Sequence, residues 1–403
     1  MKLLFGAEDE CIGSIHDQLA HLLKIKGGMP PALGSVQMLT REQLSSLIET
    51  AFWVSLNSNE GRPIRISAAV GQPELFTHAL TFATDVPYER SQIVKLAPAI
   101  PRSSCLIVSP TVDGLSIRGF AESRPGPWVD TVTVSVLEPG TLRVGVGPFR
   151  SYAVLQGHSN SILAAGNFDL ASHLQRMLRK SLPQDDILET QAIWRECLAL
   201  EEIARMILAH EHGGMVLIVP DSSGDWLRSL SSFPYQFALP DTTIRDVIRQ
   251  ELQVANTQGQ TFQKLSEANI PEDVRNIAIA SMGSTPWGGM GKGARSTASL
   301  ANIDGAVVVT RDLQVLGFGA KITIETGNTP NIFEFEPKPG MQELMPKQFE
   351  DLGGTRHQSA ARFAANNKDS VVLVFSQDGH MSVMNWQEPI NGVAVLRNTE
   401  WWV

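Results

Sequence analysis

Asp304-Gly305-Ala306, running into Val307-Val308-Val309-Thr310, and Gly354-Thr355-Arg356-His357, fifty positions on and running into Gln358-Ser359-Ala360-Ala361-Arg362-Phe363, are the stretches whose reading decides the fold. The first opens a strand-like apolar run and predicts a strand over Ile303 to Thr310. The second places a glycine pair before polar and then apolar residues at helical spacing, and predicts a helix from Thr355 to about Asn366. Upstream, Met215-Val216-Leu217-Ile218-Val219-Pro220 reads as a central strand entered through Gly213-Gly214. Downstream, Ser370 to Phe375 and His380 to Asn385 read as a hairpin closed by Gln377-Asp378-Gly379, and Gln314 to Gly319 as a strand following the first.

The side chains at these two points suit phosphate chemistry. Asp304 offers a hard oxygen ligand for Mg²⁺ or Mn²⁺. Gly305 and Ala306 remove bulk where a ligand has to approach the backbone. Gly354 and Thr355 open a helix whose first N–H groups and dipole attract an anion, and Arg356 adds a planar, permanently charged fork.

In order and context the two motifs resemble the signatures of the diadenylate cyclase (DAC) domain, over about residues 188 to 390. The resemblance implies a metal-binding, catalytic role for Asp304 and contacts to a nucleotide triphosphate from Gly305, Ala306, Gly354, Thr355, Arg356 and His357. It also implies Mg or Mn as cofactor, ATP or a related nucleotide as ligand, and a homodimer or higher homo-oligomer that condenses two ATP molecules to cyclic di-AMP. The sequence departs from the family pattern at several points. Gln358 stands where a second arginine usually follows Arg-His, Ile303 where His or Leu is frequent before the aspartate, and Gln377 where many members carry glutamate. Segments rich in glycine (Gly283 to Gly293) and proline (Asn328 to Pro346) lengthen the domain. Such departures mark a divergent member of the kind regarded as probable nucleotide sensors, so two readings stand side by side: a cyclase, and a sensor that binds a nucleotide or cyclic dinucleotide without turnover.

Composition narrows the classes. With 403 residues the chain exceeds one ordinary core. The predicted division is an α+β domain at 1–185 and the DAC-like domain at 186–403, the latter with a central mixed sheet flanked by helices, for a mixed α+β and α/β fold class overall. A net charge of −9 lacks the basic footprint of a nucleic-acid binder. No apolar run reaches the roughly 18 to 20 residues of a membrane span, and the first ten residues turn acidic before a signal-peptide core develops, so a cytoplasmic location is expected. Three widely spaced cysteines argue against a disulfide framework.

Along the chain, Thr40-Arg41-Glu42-Gln43 forms a capping box for a helix over 41–56. Strands are expected at Ile64 to Val70, Ser104 to Val108, Thr131 to Leu137, Leu142 to Val146 and Tyr152 to Leu155. Helices follow over 169–182 and 188–211, parted at Pro183 to Asp186, and Asp241 is the expected N-cap of another running through Leu252. Gly283 to Gly293 reads as a loop, because aligning Gly291-Lys292 with a phosphate-loop pattern puts Pro286 and Gly293 at the wrong places.

Overall fold

The computed structural model describes residues 10–25, 39–122 apart from 77, 102, 103 and 113, 131–146, 150–156, 161–165, 187–238 apart from 211, 243–267, 288–323, 329–335 and 344–402, with isolated positions near 174–178 and 270–274. Two compact units emerge, one built mainly from Met1–Asp169 and the other mainly from Leu170–Glu336 and Glu343–Trp401. Helices and mixed sheets make up both, which is the α+β and α/β mixture expected. Of the expected helix over 169–182 only Leu174, Gln175, Met177 and Leu178 are described, all of them helical, while its turn at Pro183 to Asp186, the acidic N-terminus and Asp241 lie outside the described residues.

In the first unit a small hairpin, β1 (Ser58–Asn59) and β2 (Arg62–Pro63), precedes an eight-stranded sheet. Its strands are β3 (Ser67–Val70), β4 (Leu80–Pro87), β5 (Ser104–Thr111), β6 (Gly114–Glu122), β7 (Val132–Glu138), β8 (Thr141–Val146), β9 (Arg150–Gln156) and β10 (Ser161–Ala165), in the order β10-β9-β8-β7-β3-β5-β6-β4. Helices α1 (Glu10–Ile25), α2 (Arg41–Ser55) and α3 (Arg90–Leu96) pack on one face through Ile12, Ile15, Leu47, Ile48, Phe52 and Ile93. The capping box is formed in both directions, Gln43 N–H to Thr40 Oγ1 at 3.2 Å and Thr40 N–H to Gln43 Oε1 at 3.0 Å. Strands β4 and β6 carry exposed or interrupted patterns and gave no clear period in the sequence.

The second unit is a single mixed sheet between helical layers. Its strands are β11 (Gly214–Val219), β12 (Leu230–Ser232), β13 (Tyr235–Gln236), β14 (Ala306–Thr310), β15 (Val315–Ile322), β16 (Ile332–Phe335), β17 (Met345–Lys347), β18 (Val371–Phe375), β19 (Met381–Gln387) and β20 (Gly392–Leu396). The order is β12-β15-β14-β11-β18-β19-β20-β16-β17, with β13 also on β15. Strands β11 and β14 run parallel, Val216 opposite Val307, while β18 pairs antiparallel with β11, Gly214 opposite Phe375. Alternate residues of β11, β14 and β18 are buried in both directions, as a central strand requires. The proline-rich segment contributes β16, paired alongside β20, and the edge strand β17 alongside β16.

Helix α4 (Ile187–Ala209) packs with α5 (Ile244–Glu267) and α6 (Gly288–Ser299) and touches β18. Helix α7 (Thr355–Asn366) covers the face made by Met215, Leu217, Val308, Val372 and Val374 with Ala360, Ala361, Phe363 and Ala364. Burying a side chain such as Phe363 there contributes about 1.5–3 kcal/mol. The cap of α5 falls to Thr243 and Asp246, whose side chains exchange hydrogen bonds with each other's N–H groups at 2.8 and 3.1 Å.

One expectation is overturned. The stretch from Gly288 is helical, whereas its glycines predicted a loop. Their place is explained by packing: a Cβ on Gly289 would sit 2.6 Å from Val247 Cγ1, and one on Gly293 3.1 Å from Ile244 Cγ1. Glycine lets α6 approach α5 to backbone distance, and Glu251 Oε1 accepts the Gly289 N–H at 2.8 Å, capping the new helix from its neighbour. Burial pushes the Glu251 carboxyl above its usual range, against the Gly289 and Met290 N–H groups and the Arg195 charge. Residues 281–287 lie outside the described set.

Candidate functional site

The second unit gathers several element ends at one place. Strands β11 and β14 begin there, β15 and β18 end there, and α7 starts there. Between them lies a cleft of about 730 Å³, lined by all seven residues singled out in the sequence: Asp304, Gly305, Ala306, Gly354, Thr355, Arg356 and His357. Their separation of fifty positions is closed because the sheet sets the start of β14 two strands from β18, the strand that follows α7.

Each takes its position from local geometry. Asp304 and Gly305 precede β14, which begins at Ala306 and not at Ile303 as the apolar run suggested. The reason is Gly305, at φ +116, whose absent Cβ would lie 2.6 Å from the carbonyl carbon of Gly319. That close crossing throws Asp304 out of the sheet, and its side chain is 82% exposed. Ala306 is buried in the core behind it. On the other wall, Gly354 caps α7 with no side-chain hydrogen bond of its own, while its carbonyl accepts the His357 N–H at 2.9 Å. Arg356 is half-buried and reaches back over Gly213, where a Cβ would lie 2.8 Å from Arg356 Nη1. Gly213 thus has two duties: its φ of +63 lets the chain turn out of α4 into β11, and its bare face makes room for the guanidinium.

His357 folds over Gly353 and away from solvent. Burial, then the positive charges of Arg397 and Arg356, bring its imidazole down to about 4, against a smaller opposing effect of Glu334. The ring is therefore neutral near pH 7 and acts as a hydrogen-bonding group, not as a standing cation. Behind it Glu334 is ion-paired with Arg397 and with Lys347 at 2.7 Å. Burial raises the Glu334 carboxyl, but these two partners outweigh it and hold the net value below the usual range.

Residues 35–122 match the family model described as "Probable sensor domain DACNV". The match lies wholly in the first unit, from before α2 to the end of β6, and spans well under half of the chain. It supports a sensor domain related to the DAC family, and it does not fall on the residues that resemble the cyclase domain itself. No curated protein matches the chain. Among the described residues, no helix is long and apolar enough to cross a membrane.

Sequence reasoning passed over Lys321. It lines the cleft, and its Nζ stands 3.4 Å from Asp304 Oδ2. A lone lysine near the end of the apolar strand Val315–Ile322 was the available signal. Ser376, Gln377 and Asp378 of the β18–β19 turn close one side, and Met215, Ile322 and Phe375 give an apolar wall. Gln358, the residue in place of a second arginine, donates from Nε2 to Gly353 O at 3.3 Å and so braces the entry to α7. The formal charges at the cleft are mixed, Lys321 and Arg356 against Asp304 and Asp378.

The divalent metal implied by the resemblance would meet two carboxylates at the cleft, Asp304, already partnered by the Lys321 ammonium group at 3.4 Å, and Asp378 on the β18–β19 turn. Among the described residues, the group of three His, Cys, Asp or Glu side chains close enough to share an ion does not include Asp304. These residues do not by themselves build a closed metal site at Asp304.

Proposed function

We propose that the chain is a nucleotide-binding sensor, whose second unit takes ATP, a related nucleotide or a cyclic dinucleotide in the cleft between Asp304 and α7. The observation that carries this reading is the convergence of both motifs on one cleft, with Arg356 and the start of α7 on the same wall. A permanently charged fork beside a helix N-terminus is a phosphate-binding arrangement. The apolar wall from Met215, Ile322 and Phe375 offers a surface for a base. The sensor family match in the first unit favours recognition over turnover. Condensation of two ATP molecules to cyclic di-AMP is the second reading, favoured by Asp304 opening onto the same cleft as Arg356 and His357.

Calorimetric titration of the full chain with ATP and with cyclic di-AMP tests the proposal. Arg356→Ala is expected to weaken binding by about tenfold or more, the usual effect of losing a hydrogen bond to a charged group. Asp304→Asn is expected to alter affinity as well. Unchanged affinity in both variants would remove the site assignment. Incubation with ATP and Mn²⁺, followed by chromatography for cyclic dinucleotide and pyrophosphate, separates the readings: sustained product formation would replace sensor with cyclase.

A further inference from the structure

Resting on the nucleotide reading of the cleft, we propose that Lys321 takes the place of a divalent cation at Asp304, so that the polyphosphate is bound without metal. Three observations on the β14–β15 hairpin lead there. Ala306 pairs with Ala320, which brings the end of β15 beside the start of β14 and sets Lys321 next to Asp304. Lys321 Nζ lies 3.4 Å from Asp304 Oδ2, and both side chains line the cleft that Arg356 and Thr355 line from the opposite wall. The pair is solvated, with 59% of the lysine and 82% of the aspartate side chain exposed.

An ion pair so open to water contributes little to folding, and its lysine exchanges partners readily. Phosphate oxygens entering between the two walls meet a point charge from Lys321 on one side and the Arg356 fork on the other. A Mg²⁺ ion at Asp304 would have to compete with the ammonium group for the carboxylate and would face its charge at short range. With Asp304 occupied by a resident cation, the cleft favours the metal-free polyphosphate. Asp304 acts as a latch that parks Lys321 while the cleft is empty. The same arrangement opposes the metal-assisted chemistry that condensation needs, which links Lys321 to the sensor reading.

The test is titration of the full chain with ATP, once in EDTA and once in excess Mg²⁺. Wild type is expected to bind ATP in EDTA at least as tightly as in Mg²⁺. Lys321→Met is expected to lose about tenfold or more in EDTA and to regain affinity when Mg²⁺ is added, because Asp304 is then free to hold it. Lys321→Arg keeps the metal-free binding, and Asp304→Asn strengthens it by releasing the lysine; circular dichroism verifies that each variant is folded. Binding by wild type only in Mg²⁺, or Lys321→Met behaving as wild type in EDTA, would overturn the inference while leaving the nucleotide site standing. No ATP binding by wild type in either medium would overturn the nucleotide reading and this inference with it.

Discussion

Replacing His357 by glutamine should flatten the pH dependence of the second unit's stability between neutral and mildly acidic solution. In the folded chain the imidazole is held at about 4 by burial and by Arg397 and Arg356, against an ordinary value of 6.5. Below 6.5 the unfolded chain takes up a proton that the folded chain refuses, so unfolding is favoured as pH falls. The stabilisation is complete above 6.5 and is lost as pH descends towards 4. At about pH 5 the difference amounts to about 2 kcal/mol at full strength, and about 1 kcal/mol once solvent screening at a half-buried side chain is allowed for. Urea unfolding of wild type and His357→Gln at neutral pH and near pH 5 reads the effect directly. Imidazole NMR resonances, with His357 assigned by its absence in the variant, give the titration itself. A His357 signal titrating near its ordinary value, or equal pH slopes for the two proteins, would refute the reasoning. Added pyrophosphate should raise the same titration, since an anion in the cleft favours the imidazolium.

Two substitutions probe the backbone approaches. Gly305→Ala puts a Cβ 2.6 Å from the Gly319 carbonyl carbon at a φ of +116, and should destabilise the second unit by about 2–4 kcal/mol in a denaturant melt; a change near zero would mean the hairpin has room to open. Gly289→Ala lies within helix α6, where alanine ordinarily gains about 1 kcal/mol. Here the new Cβ would meet Val247 Cγ1 at 2.6 Å and Glu251 Oε1 at 2.9 Å, so a net loss of about 1–2 kcal/mol is expected, and a raised melting temperature would contradict the packing account.

Much of the architecture was legible because its signals are local. The capping box at Thr40 and Gln43, the β-branched run of β11 and the Asp-Gly turn between β18 and β19 each express their geometry within a few residues. Elements whose pattern depends on distant neighbours were less visible. The strands β16 and β17 at one end of the sheet carry mixed exposure and hold their place by the pairing of β16 with β20 and of β17 with β16, and by the Glu334 ion pairs. Helix α6 inverts its local preference, because glycine's cost in a helix is offset by the close contact with α5 that it permits.

By itself the sequence determined the mixed fold class and the central strands, which follow from periodicity, and the resemblance of two motifs to the DAC signatures pointed to the seven residues that line one cleft. Only the tertiary structure decided what surrounds them. It set Lys321 against Asp304 through strand register, and it placed Gly213 where Arg356 needs space. The neutrality of His357 likewise comes first from burial and then from Arg397, forty positions away along the chain and close in space. Register, close approach and electrostatic neighbourhood depend on pairs of residues remote in sequence, and no local pattern encodes them.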